Sequence, residues 1–263
     1  MGQAENVEFA VSAYESALNL QIWKSYADEM AVLLIHPGGM QIGPIRQMQG
    51  PQRFALGQTQ ILLYYGEPSP YSPYQEIYLD FLPVRDYVDS GIWTVRLIPQ
   101  RIVTGRYDMW FPAGGILNEG TGFLLPREET TLTIPSTAAK VITVGAYDAR
   151  FGQLAGFSGR GFTGNGQVKP DLAAPGVEIT SCAPGGGYTA RSGTSMATPF
   201  VTGSAALLME WGIVRGNDAY LYGEKIKAYL IRGARPLGGG RASGLLQEYP
   251  NPQVGGGLSL IHI

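Results

Sequence analysis

The stretch that most limits this chain is RSGTSMATPFVTGSAALLMEWG, from Arg191 to Gly212. Small and polar residues run directly into a long apolar segment, so Ser195 falls where a helix begins. The first N–H groups of a helix lack partners inside it and carry partial positive charge. Such a turn can hold a serine nucleophile, and the serine's own N–H can meet a developing oxyanion. Gly193 lets another backbone come close. Pro199 is expected in the first turn, where a missing N–H costs little. Ala197, Val201, Ala205 and Ala206 are small enough for the helix to press on its neighbours. Taken alone, a serine at such a place is more often a cap than a nucleophile.

Two grammars divide the 263 residues. From Val7 to about Pro126, segments such as VEFAVSAYE, LNLQIWKSY, MAVLLIHP, QILLYYGE, QEIYLDFLP, GIWTVRLIPQ and RYDMWFP mix alternation with apolar bursts, broken by HPGG, GEPSPYSP and VDSG. Seven or eight strands at this spacing predict an antiparallel sandwich of jelly-roll type over residues 1–127. After PREETT the pattern becomes strand and helix in alternation. Lys140–Asp148 reads as a strand buried on both faces of a parallel sheet. A second strand is expected around Val177–Ser181, and helices at about Thr194–Trp211 and Ala219–Arg232. The expected domains are thus 1–127 and 128–257.

Composition narrows the field further. Apolar residues make up 44% and charged ones 15%, with 37 Gly and 18 Pro, which suits a compact, turn-rich globule. A net charge of −2 leaves no basic field for nucleic acid. One cysteine, Cys182, excludes an internal disulfide and a Cys-based metal site, and is expected to be a small buried hydrophobe. No apolar run reaches the roughly 18 residues of a membrane span, and no signal-peptide pattern opens the chain. No cofactor or metal is expected.

Four segments in order change the weight of Ser195. GTSMATP, KPDLAAPG (Lys169–Gly176), VITVGAYD and FSGRG (Phe157–Gly161) resemble the subtilisin-like serine proteases, over about Thr131–Gly257. The resemblance implies an α/β protease domain of which this chain holds the C-terminal part. It implies Ser195 as nucleophile, Ser192, Gly193 and Thr194 as one wall of a peptide site, and a peptide or protein substrate. It also implies a base, an orienting acid and an oxyanion asparagine, in the chain order Asp, His, Ser.

Those partners are not evident. His36 ends an apolar strand at a Pro-Gly-Gly turn and reads as a surface turn residue; His262 lies in the last three residues. Asp171 corresponds to a structural position beside the serine loop, and Asn118 in LNEGTG reads as a solvated turn. The expectation is that Asp, His and Asn lie upstream of Met1, in the remainder of the same protease domain. Thr130–Asp148 resembles the segment at which clostridial germination proteases resume their protease fold after an inserted jelly roll; an extracellular or spore-associated bacterial setting then follows. The closing LSLIHI, Leu258–Ile263, is what the mosaic end of a library-preparation transposon encodes, and is expected to be a non-native tail. Two other readings remain. The chain is a pseudoprotease acting as a binding or regulatory partner, or residues 1–127 form a glycan-binding module presenting Tyr64, Tyr65, Tyr71, Tyr74 and Tyr78.

Overall fold

The computed structural model describes residues 3–112, 115–237 and 249–259. The chain is mostly β-sheet with few helices and divides into two compact units, Met1–Pro126 and Arg127–Ile263.

Among its described residues the N-terminal unit holds ten strands: β1 (Glu5–Val11), β2 (Leu18–Ser25), β3 (Glu29–Ile35), β4 (Gln41–Ile45), β5 (Gln52–Leu56), β6 (Thr59–Tyr65), β7 (Tyr74–Pro83), β8 (Gly91–Arg101), β9 (Tyr107–Trp110) and β10 (Gly122–Phe123). They form two five-stranded antiparallel sheets, β10-β1-β8-β3-β4 and β5-β6-β7-β2-β9. Strict alternation drives the burial: every second residue of β2, from Leu18 to Lys24, is buried. Those side chains and their counterparts on β1, β7 and β8 share one core, in which Phe9, Phe81 and Trp93 meet edge-on. The short β4, β5 and β10 escaped the sequence reading, because two to five residues hold too little alternation to register.

Two buried charges stiffen this unit. Asp28 accepts hydrogen bonds from the N–H groups of Val103, Thr104 and Gly105 and from the Thr104 hydroxyl. Burial pushes its carboxyl up, but those four donors outweigh it and hold the pKa down at about 2. Lys24 is buried in the same region, its ammonium donating to the carbonyls of Ser25 and Asp28.

The C-terminal unit is built on β11 (Val144–Asp148), β12 (Gln153–Leu154) and β13 (Leu172–Pro175), in the order β12-β11-β13. β11 and β13 run parallel, with Gly145 opposite Ala173. β14 (Ile179–Cys182) and β15 (Tyr188–Arg191) make a separate antiparallel hairpin. Helix α1 (Thr194–Met209) runs into a π-helical turn, Glu210–Val214, and α2 (Gly223–Arg232) follows. α1 lies on β11 and β13 and buries Ala197 and Val201 against Ala146, Ala174, Leu221 and Ile226.

Several expected boundaries move. β11 starts at Val144 instead of Lys140, because the preceding backbone is committed elsewhere. The Thr143 N–H donates to Asp171 Oδ2, and the Val141 carbonyl accepts from both Lys169 and Lys227. The buried parallel strand after Pro170 is Leu172–Pro175; the later strand expected near Val177–Ser181 is an edge of the exposed hairpin. α2 begins four residues after Ala219, since a turn from Asp218 to Leu221 intervenes. Pro199 is the sixth residue of α1, so it sits in the second turn and removes the bond that the Ser195 carbonyl would accept.

Leu258 is buried and bridges Ala173 and Arg235 through backbone pairing; the Ser259 N–H donates to the Ala173 carbonyl. Residues 260–263 of the expected tail, His262 among them, lie outside the described residues.

Candidate active site

The serine turn is assembled by three neighbouring backbones. β15 delivers Arg191, the chain passes Ser192 and Gly193, and α1 begins at Thr194. Gly193 is the N-cap, with φ 156° and ψ 160°, and no side chain caps the helix. Its carbonyl accepts the N–H groups of Met196 and Ala197. Ser195 is therefore not a cap. It is the second helical residue, it is exposed, and among the described residues neither its hydroxyl nor its N–H has a hydrogen-bond partner. An unpaired hydroxyl beside an unpaired N–H on a first helical turn is the arrangement a nucleophile and an oxyanion donor require.

The backbone that comes close at Gly193 is that of Gly176, and the lack of space falls on the Gly176 side. A Cβ on Gly176 would stand 2.7 Å from Ala146 Cβ, 2.9 Å from the Gly193 carbonyl oxygen and 3.3 Å from Ala197 Cβ. A Cβ on Gly193 would meet nothing nearer than Met196 Sδ at 3.4 Å. Glycine at 193 answers a dihedral that L-residues rarely adopt; glycine at 176 answers a shortage of space. The Gly193 N–H donates to the Gly176 carbonyl at 2.8 Å, which ties the serine turn to the end of β13. Ser192 is spent structurally: its Oγ accepts the N–H of Glu178, a residue at φ 53°. Thr194 is half-buried, and its carbonyl accepts from the Thr198 hydroxyl.

Asp171 is a hub for the same turn's supports. It is 3% exposed, with Lys169 Nζ 2.8 Å from Oδ2 and Lys227 Nζ 2.8 Å from Oδ1. Lys169 is buried as well, and burial pushes its ammonium pKa down, against the opposing pull of Asp171. Both oxygens of this carboxylate are engaged, Oδ2 by Lys169 and the Thr143 N–H and Oδ1 by Lys227.

The other sequence candidates fall as follows. His36 belongs to the N-terminal unit and is held on both ring nitrogens: Nδ1 accepts the Gly38 N–H and Nε2 lies 3.0 Å from Asp89 Oδ2. Its ring sits edge-on to Trp93, so it is a stitched, largely buried residue and not the surface turn residue expected. Asn118 is exposed, in a turn closed by the Thr121 N–H. Cys182 is exposed at the end of β14, contrary to expectation, because β14 lies on a hairpin with no layer over it. Tyr65 is buried and donates its hydroxyl toward the Met30 and Ile45 carbonyls, so it leaves the group of exposed aromatics. Tyr64 and Tyr78 face each other across β6 and β7, half-buried; Tyr71 and Tyr74 are exposed. Sequence reasoning missed the Lys227 partner of Asp171, since α2 carries it 56 positions away in sequence.

Residues 124–250 match the model of the subtilase family. That match takes in 127 of the 263 residues, and over it the chain is subtilase-like. A solved structure of the Clostridium perfringens CspB protease is 38% identical and superposes with a TM-score of 0.86, over 98% of this chain and 53% of that one. The subtilisin-like serine protease Pen c 1 of Penicillium citrinum is 35% identical over 148 residues, 49% of this chain and 36% of that protein. Subtilisin amylosacchariticus of Bacillus subtilis subsp. amylosacchariticus is 41% identical over 120 residues, 46% of this chain and 28% of that protein. The chain thus spans about half the length of CspB and a smaller share of these two curated subtilases.

In this chain, Thr194–Val214 forms one helical stretch of 21 residues with mean hydropathy 1.2, long and apolar enough to cross a membrane by those two measures alone. The sequence reading expected no apolar run of membrane-spanning length and ended this helix at about Trp211. Only one side of the stretch is covered: Leu207, Met209, Trp211 and Ile213 are between 43% and 49% exposed.

Proposed function

We propose that this chain is the part of a serine endopeptidase that carries the nucleophile. Ser195 Oγ attacks the peptide carbonyl and the Ser195 N–H receives the oxyanion, while the base, its orienting acid and a second oxyanion donor come from the preceding part of the same domain. The observation that carries this reading is the unpaired hydroxyl and N–H of Ser195 on the first turn of α1, with Asp171 held by two lysines and the Thr143 N–H. Support comes from the exposed apolar side of α1, which is what a helix shows when its covering layer belongs to another segment. The segment Ser192–Thr194 lines one side of the peptide path. Without a base, only a residual rate remains; in subtilisin itself the loss is about 10⁶-fold in kcat.

The N-terminal unit reads as a jelly-roll-type insertion. Its β2–β7 pairing is nested inside the β1–β8 pairing, as a jelly roll needs. An extracellular or spore-associated setting is proposed with it, by likeness to the clostridial protease.

One observation favours a second reading, a subtilase-fold binding or regulatory partner: among its described residues, the C-terminal unit has no histidine. Labelling with a fluorophosphonate decides between the two. The chain alone should stay unlabelled. The chain co-produced with the coding sequence that precedes it in the parent locus should label, and Ser195→Ala should abolish the label. An open upstream frame whose product leaves Ser195 unlabelled would establish the non-catalytic reading.

A further inference from the structure

A cleft of about 270 Å³ opens in the C-terminal unit between residues 127–131 and 156–160. Its walls include Arg127, Glu128, Thr131, Phe157, Ser158 and Arg160. The two loops are zipped by backbone: the Thr131 N–H donates to the Arg160 carbonyl at 2.8 Å, and the Arg160 N–H donates to Thr131 Oγ1 at 2.9 Å. The cleft is thus a built feature of two joined loops. It is also coupled to the serine turn. Ser158 Oγ accepts the Ala146 N–H, Ala146 packs under Gly176, and Gly176 accepts the Gly193 N–H. Two packed residues, Ala146 and Gly176, separate the floor of the cleft from the N-cap of α1.

The charge here is unbalanced. The Arg160 side chain is 21% exposed, so its guanidinium has lost most of its water. Its ion-pair partner, Glu128, is 73% exposed and heavily screened. Arg127 is exposed and has no ion-pair partner among the described residues. Two guanidinium groups against one screened carboxylate leave the lining of the cleft net positive; Glu129, in the same loop, is exposed and outside that lining. Phe157 adds a half-exposed apolar wall. A short methylene stem ending in a carboxylate matches that lining, and bidentate guanidinium geometry favours a carboxylate over an amide.

We propose that this cleft receives an acidic side chain of the bound peptide, with Arg127 and Arg160 on the carboxylate and Phe157 along its stem. Glu128 occupies Arg160 in the absence of peptide and yields it on binding. The cleft is therefore a specificity determinant, and it rests on the reading of this chain as part of an endopeptidase.

The test uses the co-produced protein described above, carrying Ser195→Ala to stop turnover. Fluorescein-labelled octapeptides, identical but for Glu or Gln at one position moved along the sequence, are titrated by anisotropy. At one position Glu should bind roughly tenfold tighter than Gln, the worth of one charge-assisted contact. Arg127→Gln and Arg160→Gln should each cut that ratio to under about threefold. Glu128→Gln, at an exposed position, should raise it, an effect that loss of folding cannot mimic. Equal binding of Glu and Gln peptides at every position overturns the proposal, as does a ratio that survives both arginine changes. Fluorophosphonate labelling of the unmutated protein separates the two readings. Labelled Ser195 with no acid preference sinks the cleft alone; no peptide binding and no labelling sinks both.

Discussion

Replacing Asp171 by Asn tests the physical account of the serine turn most directly. The substitution keeps shape and removes a charge that two lysines share at 2.8 Å each. Lys169 is then a buried ammonium with one carbonyl and one hydroxyl for company, those of Val141 and Thr143. Stranding one member of a buried pair costs about 3–5 kcal/mol. Set against roughly 0.05–0.15 kcal/mol per residue for a whole domain, that is a large share of the stability of a unit this size. Amide hydrogen exchange reads it within the C-terminal unit alone, unaffected by the N-terminal one. Peptides covering β11 and β13 should exchange between about 10² and 10⁴ times faster in the variant, at tenfold per 1.4 kcal/mol. The double variant Asp171→Asn with Lys169→Met should recover at least half of the loss, because it removes the stranded charge. The pH dependence has a defined sign. Burial already holds the folded-state pKa of Lys169 below 10.5, and losing Asp171 lowers it further. The unfolded chain then binds more protons, so the variant's deficit should shrink as pH rises toward 10.5. A change of exchange rate below about fivefold, or no rescue by Lys169→Met, would refute the hub as described.

Three further outcomes follow from the same geometry. Gly176→Ala places a methyl group 2.7 Å from Ala146 Cβ and 2.9 Å from the Gly193 carbonyl oxygen; overpacking of this kind costs about 1–3 kcal/mol, read by urea midpoint, and in the protein co-produced with its upstream part should slow fluorophosphonate labelling of Ser195 more than a surface change of equal cost. Glu178→Gly relieves a left-handed residue at φ 53° and gives up only an exposed pair with Arg150, so the melting temperature should hold or rise. Asp28 is depressed to about 2, so its stabilisation is complete above the unfolded pKa of 3.8 and lost as pH falls through about 2; acid unfolding curves of the parent and of Asp28→Asn should converge across that window.

Much of the N-terminal unit could be read from β2, β7 and β8, whose alternation names the buried face residue by residue. Strand burial has period two, so it is written locally in the chain. The helix start at Thr194 was legible for a similar reason: Gly before it and an apolar run after it are local signals. The resemblance of GTSMATP and KPDLAAPG then pointed to Ser195 as the nucleophile proposed above. What local signals could not convey was which group spends which bond. Lys140–Thr143 has strand-like side chains, yet its backbone is claimed by Asp171, Lys169 and Lys227 from three later positions. Gly193 and Gly176 look alike in sequence, and only the packing of Ala146 and Ala197 shows that the space is needed at Gly176. Ser192 looked like a free wall of the peptide path until Glu178 took its hydroxyl as an acceptor. The sequence by itself determined the faces of the strands, the start of α1 and the place of Ser195 on its first turn, because those depend on neighbours within a turn or two. The tertiary structure decided the supports of the serine turn and the charged cleft beside it. Both depend on contacts between residues distant in the chain, and no local periodicity records such contacts.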